Sequence, residues 1–542
     1  MSNKRKLTED QLREIANYDE AEWAGFISQD GGSGEESDNS SNSEVSDEIV
    51  DDENNPNQLL EDDEWTDIAE DPPTFPFSEQ VGLKIDFTDC NIQILVDLFF
   101  SDEFLKLLVE QTNIYARQEI GKTRTRKSSR MLSWKDTDII EMKNFLGLLL
   151  HMGPCSLPQI SSYWSTSVFY NIPFWRQVMS RNRFQALLRF LHCSDNSIPS
   201  DDRLYKVRPI LTHFNKVMRN NYTPGKNICI DESMMLWRGR LFFRQYIKNK
   251  KHKYGVKLYK LCESNGLVQK IKIYCGKSDI QDKNVGHSTG VVLHLMKDYL
   301  NKGHVLHMDN FYNSVRLTTL LSEMKTYLCG TLRSNRKGNP KVVIAEKLKR
   351  GELTWKRKGT VVVCKWKDKR DVLVISNKHK VDMELVRNRN GKTSLKPNIV
   401  SDYNNGMSGV DRSDQMLSYY SALRKTIRWH KKVALHIFEI YIHNAYIIYR
   451  NATSSKITSL QFREKVVESL LGENMPKPNK KPNPGSFHYL ESLPPTEKKN
   501  RPSKPCRVCT ANKKRRETRY FCPVCEEKPA LCVENCFKAY HT

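Results

Sequence analysis

Hydrophobic and polar positions divide the chain by period. From about residue 85 to 220 apolar residues recur at helical spacing; Phe184, Leu187, Leu188 and Leu191 fall at i, i+3, i+4 and i+7, one face of a helix. Ser101 before Asp102 and Glu103 reads as an N-cap with acids in the first turn, and Asp138 with Glu141 as a capping box ahead of Phe145, Leu148, Leu149 and Met152. Trp134, Trp164 and Trp175 read as core. From 225 to 335 the period falls to two. Strands are expected at 228–231, 241–247, 254–262, 268–275 and 305–309, with a hairpin turn at Ser264-Asn265-Gly266, then a helix over 314–324 and a strand at 327–332. Strand-like segments at 360–366 and 372–376 lie between Lys- and Arg-rich turns, and helical spacing returns near Val410 and from Trp429 to Arg450.

Three antiparallel strands, a further strand and an intervening helix follow the order of an RNase H-like core, so the expected class is α/β. The expected organisation is a disordered acidic tail (1–80), a helical domain in two parts (81–224 and 421–472), a core in two parts (225–335 and 399–420) and a basic β-rich insertion between them (336–398). A Pro- and Lys-rich segment (473–505) reads as an extended linker before a Cys-rich end (506–542).

Charge sharpens this picture. Residues 1–75 carry 23 acids against 4 bases, so the rest of the chain holds 82 bases against 41 acids. An acidic tail on so basic a body points to a polyanion partner, nucleic acid rather than a membrane surface. No apolar run is long enough to span a bilayer, and the N-terminus lacks the apolar stretch of a secretory signal. A reducing compartment follows, in which eight scattered cysteines read as small buried hydrophobes and the six in the last forty residues as metal ligands.

The candidate chemistry begins at Asn227 to Arg240, a short half-buried strand ending at Asp231 beside Arg238, Arg240 and Arg244. Alone, an Asp at a strand end is more often a turn or cap residue. Its partners are Asp309, at another strand end, and Asp411, at a helix start with Asp414 one turn on. Phosphodiester chemistry needs an activated oxygen nucleophile and a stabilised leaving oxyanion, which two Mg²⁺ ions held by a few carboxylates provide. Acids packed together also repel unless a cation is present. Arg238 and Arg240 suit phosphate contacts, since guanidinium clamps phosphate with two donors. The loop bases Arg124, Arg126, Lys127 and Arg130 read equally as phosphate contacts or as solvated charge; Trp429 reads as core, or as a wedge for a distorted base.

Cys506-x-x-Cys509 and Cys522-x-x-Cys525, followed by Cys532, Cys536 and His541, have zinc spacing. Seven ligands exceed one tetrahedral site, so one or two Zn²⁺ are expected; the sequence does not reveal an eighth ligand. Lys513 to Arg516, between the pairs, favours DNA over the acidic pockets of chromatin readers, and that run or Lys498-Lys499 reads as a nuclear import signal.

Asp231-Glu232-Ser233-Met234 with Trp237 to Arg240, His252-Lys253-Tyr254-Gly255, Met308 to Tyr312, Gly330 to Asn335, and Gly409-Val410-Asp411 through Asp414-Gln415 together resemble the piggyBac family of cut-and-paste DNA transposases. The resemblance runs from about residue 85 to the end. It implies an RNase H-like core split by an insertion, a helical dimerisation and DNA-binding domain, and a two-zinc cross-brace. It places Asp231, Asp309 and Asp411 on a catalytic triad and Asp414 on a further required acid, and puts Arg333, Arg336 and Lys337 against target DNA. The implied activity is excision and integration at TTAA in the nucleus, by a homodimer or larger assembly on double-stranded transposon ends. The alternatives are a domesticated, non-catalytic DNA-binding protein of the same fold and, more distantly, a zinc-dependent chromatin adaptor.

Overall fold

The computed structural model describes residues 65–541 except 90, 123–129, 248–252, 277–285, 388–390, 392, 425, 427, 477–487 and 498. The tail over 1–64, the bases Arg124, Arg126 and Lys127, and His252 and Lys498 therefore lie outside the described residues. The chain divides into two compact units, Met1–Met475 and Pro476–Thr542.

Helices open the first unit: α1 (Ile92–Phe99), α2 (Asp102–Lys122), α3 (Ile139–His151), α4 (Pro173–Val178), α5 (Arg181–Phe190) and α6 (Arg208–Asn221). Two-residue strands β1 (Gly82–Leu83) and β2 (Tyr222–Thr223) pair antiparallel at either end of this series. The Ser101 hydroxyl accepts from the Phe104 amide at 3.3 Å, capping α2. Asp138 caps α3 through the Glu141 amide at 2.8 Å. The Glu141 carboxylate turns instead to Arg183 Nε and the Thr137 hydroxyl, both at 2.6 Å, so the expected capping box is only half made. Trp175 is fully buried, and Trp134 and Trp164 pack against the core.

The sheet follows: β3 (Asn227–Leu236), β4 (Gln245–Tyr246), β5 (Tyr254–Glu263), β6 (Val268–Ile273), α7 (His287–Met296), β7 (Val305–Met308), α8 (Val315–Glu323), β8 (Tyr327–Thr331), α9 (Lys341–Ala345), β9 (Leu353–Lys358), β10 (Val361–Lys367) and β11 (Asp371–Ser376). Strands β3, β5 and β6 run antiparallel, and β7 and β8 then add in parallel, the RNase H-like order. Two expectations need correction. The strand does not end at Asp231: it continues to Leu236 because Glu232 through Leu236 go on pairing with β5 after β7 has stopped. It is also buried on both faces from Ile228 to Ile230 rather than half-buried, since Ile228, Cys229 and Ile230 have no exposure. Part of the insertion joins the core sheet. Ser376, Ile375 and Val374 pair with Cys329, Gly330 and Thr331, so β9 to β11 extend the core sheet to nine strands.

After the hairpin of β12 (Met383–Arg387) and β13 (Thr393–Pro397) come α10 (Asn398–Gly406), α11 (Gly409–Tyr419), α12 (Trp429–Thr453) and α13 (Ser459–Leu471). Helix α12 is buried all round from Val433 to Ile448. Its polar residues serve the sheet: the Asn444 side chain bonds both the amide and the carbonyl of Val268, at 3.0 and 2.7 Å, and His443 bonds the Gly266 carbonyl in the β5–β6 turn at 2.9 Å. No helix among the described residues is long and apolar enough to cross a membrane.

The acidic stretch from Trp65 to Gln80, expected within the disordered tail, is an ordered strap. Thr66 makes a two-way backbone bridge with Arg357, at 2.8 and 2.9 Å. The Arg357 guanidinium donates to the Glu70 and Asp71 carbonyls, and the Tyr327 hydroxyl meets the Phe75 amide at 2.6 Å and the Pro73 carbonyl at 3.0 Å. Apolar anchors and a basic strand edge outweigh the composition that suggested disorder.

In the second unit β14 (Glu491–Ser492) pairs with β17 (Tyr520–Phe521), and β15 (Lys504–Pro505) with β16 (Glu517–Thr518); α14 (Arg507–Ala511) and α15 (Asn535–His541) complete it. The later part of the expected linker, from His488 to Pro505, thus belongs to the Cys-rich unit.

Candidate functional site

Sheet register brings the acids together. Ile230 and Met308 are parallel partners, so Asp309 leaves β7 beside Asp231 on the adjoining strand. The Asp231 carboxylate accepts from the Glu232 amide at 2.8 Å, and Asp309 from the Phe311 amide at 3.0 Å. Cys229, Asp231 and Ser233 alternate onto one face of β3, and α11 lies over that face. Gly409 sits so close that an added Cβ would stand 2.7 Å from Cys229 Sγ and 2.2 Å from the Glu263 carbonyl. At the other end of the same face Asp414 Oδ1 accepts from the Ser233 hydroxyl at 2.8 Å. Asp411 lies between these anchors, exposed, in the first turn of α11.

Electrostatics give the same grouping. Burial pushes the Cys229 thiol up to about 12, with Asp231 and Asp411 adding to the rise. Burial likewise raises the Tyr403 hydroxyl to about 12, with Asp309 and Asp231 adding. Asp414 stands apart. Burial opposes its charge, but Lys260 and the Ser233 hydroxyl outweigh that and hold its carboxyl below the usual range. Lys260 Nζ lies 2.7 Å from Asp414 Oδ1 and has no solvent exposure. Sequence reasoning missed this lysine because a single Lys in a strand pattern reads as an edge charge.

Among the described residues, Asp231, Asp309 and Asp411 do not form a group whose ligand atoms all lie within 4.8 Å of one another. Two divalent ions about 4 Å apart do not require that, since each is held by part of the set. The oxygen-only donors on β3, on the loop that leaves β7 and at one helix start fit hard cations with water and phosphate completing the shell.

A separate cluster, His307, Cys329 and Asp402, does close within 4.8 Å. The Asp402 carboxylate already meets Lys378 Nζ at 2.8 Å, His379 Nε2 at 3.1 Å and His307 Nε2 at 3.6 Å. The Lys378 ion pair ties α10 to the segment that follows β11, so the Asp402 carboxylate already has a cationic partner.

Basic residues border the acids. Arg333 Nε bonds the Asn310 side chain at 3.3 Å and its guanidinium stands 5.7 Å from the Phe311 ring centre. Arg336 donates to the Phe311 carbonyl, and Lys337 is exposed. Both arginines are thereby fixed to the loop that leaves Asp309. Arg238 and Arg240 are exposed on a turn braced by Arg244, whose guanidinium bonds the Arg238 and Gly239 carbonyls at 3.0 and 3.3 Å. Trp429 packs edge-on to Phe243 at 5.3 Å and against the core, so of its two readings the structure supports the core one.

In the second unit the seven foreseen ligands separate into two groups, and His488 supplies the eighth. Cys506, Cys509, Cys532 and Cys536 gather, with Cys509 Sγ 4.0 and 3.5 Å from the sulfurs of Cys532 and Cys536. Tetrahedral Zn–S bonds of about 2.3 Å put sulfurs about 3.8 Å apart. His488, Cys522, Cys525 and His541 form the second group: His488 Nδ1 is 3.3 Å from both sulfurs, and His541 Nε2 is 3.2 Å from Cys525 Sγ. His541 Nδ1 bonds the Phe537 carbonyl at 2.8 Å, which orients Nε2 toward the group. First and third ligand pairs interleave with the second, the cross-brace order.

Residues 94–446 match the family model described as Transposase IS4, and residues 490–542 match that of a DDE_Tnp_1-like zinc finger. The human PiggyBac transposable element-derived protein 3 is 25% identical over 82% of this chain and 74% of its own length. The human PiggyBac transposable element-derived protein 5 is 25% identical over 69% of this chain and 74% of its own. Among solved structures, the cryo-EM piggyBac transposase synaptic complex with hairpin DNA matches with a TM-score of 0.65 and 26% identity, covering 84% of this chain and 98% of that one. With strand order, paired zinc-ligand groups and sequence in agreement, the chain belongs to the piggyBac group of the Transposase IS4 family.

Proposed function

We propose that the chain is a catalytically competent cut-and-paste transposase that excises and integrates DNA at TTAA by phosphodiester hydrolysis and strand transfer. The observation that carries this reading is the parallel register that sets Asp309 beside Asp231, with Asp411 brought over the same face by α11. These three acids would hold two Mg²⁺, which supply an activated water or 3′ hydroxyl and stabilise the oxygen that leaves phosphorus. Asp231 presents its carboxylate from β3 and Asp309 from the loop that leaves β7, each already held by a backbone amide, that of Glu232 and that of Phe311. Arg333, Arg336, Lys337, Arg238 and Arg240 hold the phosphate backbone on either side, positioning the duplex without reading it. Selectivity for TTAA draws on its easily unstacked TA step.

Two Zn²⁺ complete the C-terminal unit, whose exposed Lys513 to Arg516 run suits transposon-end DNA and nuclear import. A homodimer on paired ends is the working assembly. The piggyBac complex that this chain resembles was solved with hairpin DNA, which favours the hairpin route of excision.

The test is incubation of the protein with end-bearing DNA and Mg²⁺, with Asp309→Ala as control. Metal-dependent nicking by the wild type alone is expected. No nicking, or equal nicking by the variant, removes the enzyme reading; salt-sensitive binding without cleavage identifies a domesticated DNA-binding protein instead.

A further inference from the structure

We propose that Lys260 is a positioning residue for the acidic face: its ammonium clamps Asp414, and through it the helix carrying Asp411, onto the strand carrying Asp231. This rests on the catalytic reading above, and it changes the role of Asp414 from a reacting acid to the counter-charge of a clamp.

Lys260 on β5 and Asp231 on β3 are antiparallel partners. Directly opposed residues share a face of the sheet, here the face that α11 covers. The ammonium has no solvent exposure, and it reaches Asp414 Oδ1 at 2.7 Å. The same oxygen accepts from the Ser233 hydroxyl at 2.8 Å. One carboxylate oxygen of α11 is thus held by two donors, one from each of the two strands beneath it. Asp414 follows Asp411 by about one helical turn, so fixing Asp414 fixes the height and rotation of Asp411 above Asp231.

A methionine would fill the volume at 260 without desolvating a charge, and unpaired buried charge is costly. Charge at this position therefore needs a use that packing does not supply. The use is geometric and electrostatic. A fixed cation stands across from Asp231, and Asp414 Oδ1 is engaged by donors from both strands. Gly409 seated on Cys229 is the second point of the same clamp, so α11 is pinned at both ends of its contact with β3.

The test compares full-length wild type, Lys260→Met, Asp414→Leu and the double variant, reading melting temperature, nicking rate and the Mg²⁺ concentration for half-maximal nicking. Asp414→Leu leaves the buried Lys260 ammonium unmatched, and Lys260→Met leaves the partly exposed Asp414 carboxylate with the Ser233 hydroxyl as its remaining clamp donor. Each single variant is expected to lose roughly 5 °C of melting temperature, to nick at least about tenfold more slowly and to need more Mg²⁺. The double variant exchanges the ion pair for an apolar one. It is expected to recover the melting temperature and most of the nicking rate, whereas Asp309→Ala stays inactive. Two results overturn the proposal: Lys260→Met with unchanged rate and Mg²⁺ requirement, or a double variant with wild-type melting temperature that is as inactive as Asp309→Ala. If the wild type itself fails to nick, the catalytic reading fails, and the clamp is judged on melting temperatures alone, where additive losses would refute it.

Discussion

His488 Nδ1 lies 3.3 Å from the Cys522 sulfur, joining a segment that reads as linker to the second ligand group of the C-terminal unit. Removing this ligand leaves the second group with three, while the four-cysteine group is untouched. His488→Ala is therefore expected to lower bound zinc from two ions per chain to one, measured by elemental analysis of the purified protein. Structural zinc carries most of the folding free energy of so small a unit, so trypsin should also cut within 488–541 in the variant and spare it in the wild type. Retention of both ions would remove His488 from the ligand set.

Gly409 has no room for a side chain. An added Cβ would meet the Glu263 carbonyl at 2.2 Å and Cys229 Sγ at 2.7 Å, and the nearer of these is backbone. Gly409→Ala must lift the start of α11 from β3, at an expected cost of about 1–3 kcal/mol. The same displacement carries Asp411 away from Asp231, so nicking should fall further than stability alone accounts for. Gly121 is the control: it is exposed near the end of α2 with nothing within 4 Å of an added Cβ. Gly121→Ala should be neutral or gain about 0.5–1 kcal/mol. Melting and nicking measured on both variants separate the two effects.

The acids and the RNase H-like strand order were legible because each is a local pattern, an apolar run that gives way to Asp, and several such runs recur in sequence. What stayed hidden depends on partners far along the chain. The strand through Asp231 outlasts its apolar stretch because β5 continues to pair with Ser233, Met234 and Met235. Helix α7 leaves no clear apolar period in the sequence because Gly290 and His294 interrupt it. The ordering of residues 65–80 depends on Tyr327 and Arg357, both more than 250 positions away. His488 and Lys260 are single residues whose meaning comes only from what folds against them.

Arg357 fastens the N-terminal strap to the sheet. It is buried, exchanges backbone hydrogen bonds with Thr66, donates to the Glu70 and Asp71 carbonyls, and bonds the Gly359 carbonyl at 2.7 Å. Arg357→Ala keeps the backbone bridge but leaves those carbonyls without their donor. The expected result is selective loss of amide protection across 66–76, seen by hydrogen exchange, with β10 and β11 unchanged. Uniform loss across the sheet would instead make Arg357 a general core residue, and no change would show that Tyr327 and the backbone bridge suffice.

Glu439 provides a pH test of the buried helix α12. Burial raises its carboxyl to about 7, against opposing contributions from the Ala422 amide, the Arg463 charge and the Ser421 hydroxyl. His436 Nδ1, 4.0 Å away, is held near 3 by its own burial and stays neutral across the window of interest. The folded protein therefore holds a proton on Glu439 that the unfolded chain releases near the ordinary value of 4.5. That contribution is complete below pH 4.5 and is lost as pH rises through about 7. It amounts to about 3 kcal/mol, at 1.36 kcal/mol per pH unit of separation. Glu439→Gln keeps an acceptor for the Ala422 amide and cannot titrate. Denaturant melts at pH 5 and pH 8 should show the wild type losing stability across that interval by about this amount more than the variant. Equal slopes in the two proteins would mean that Glu439 is ionised in the fold, paired with Arg463 strongly enough to overcome its burial.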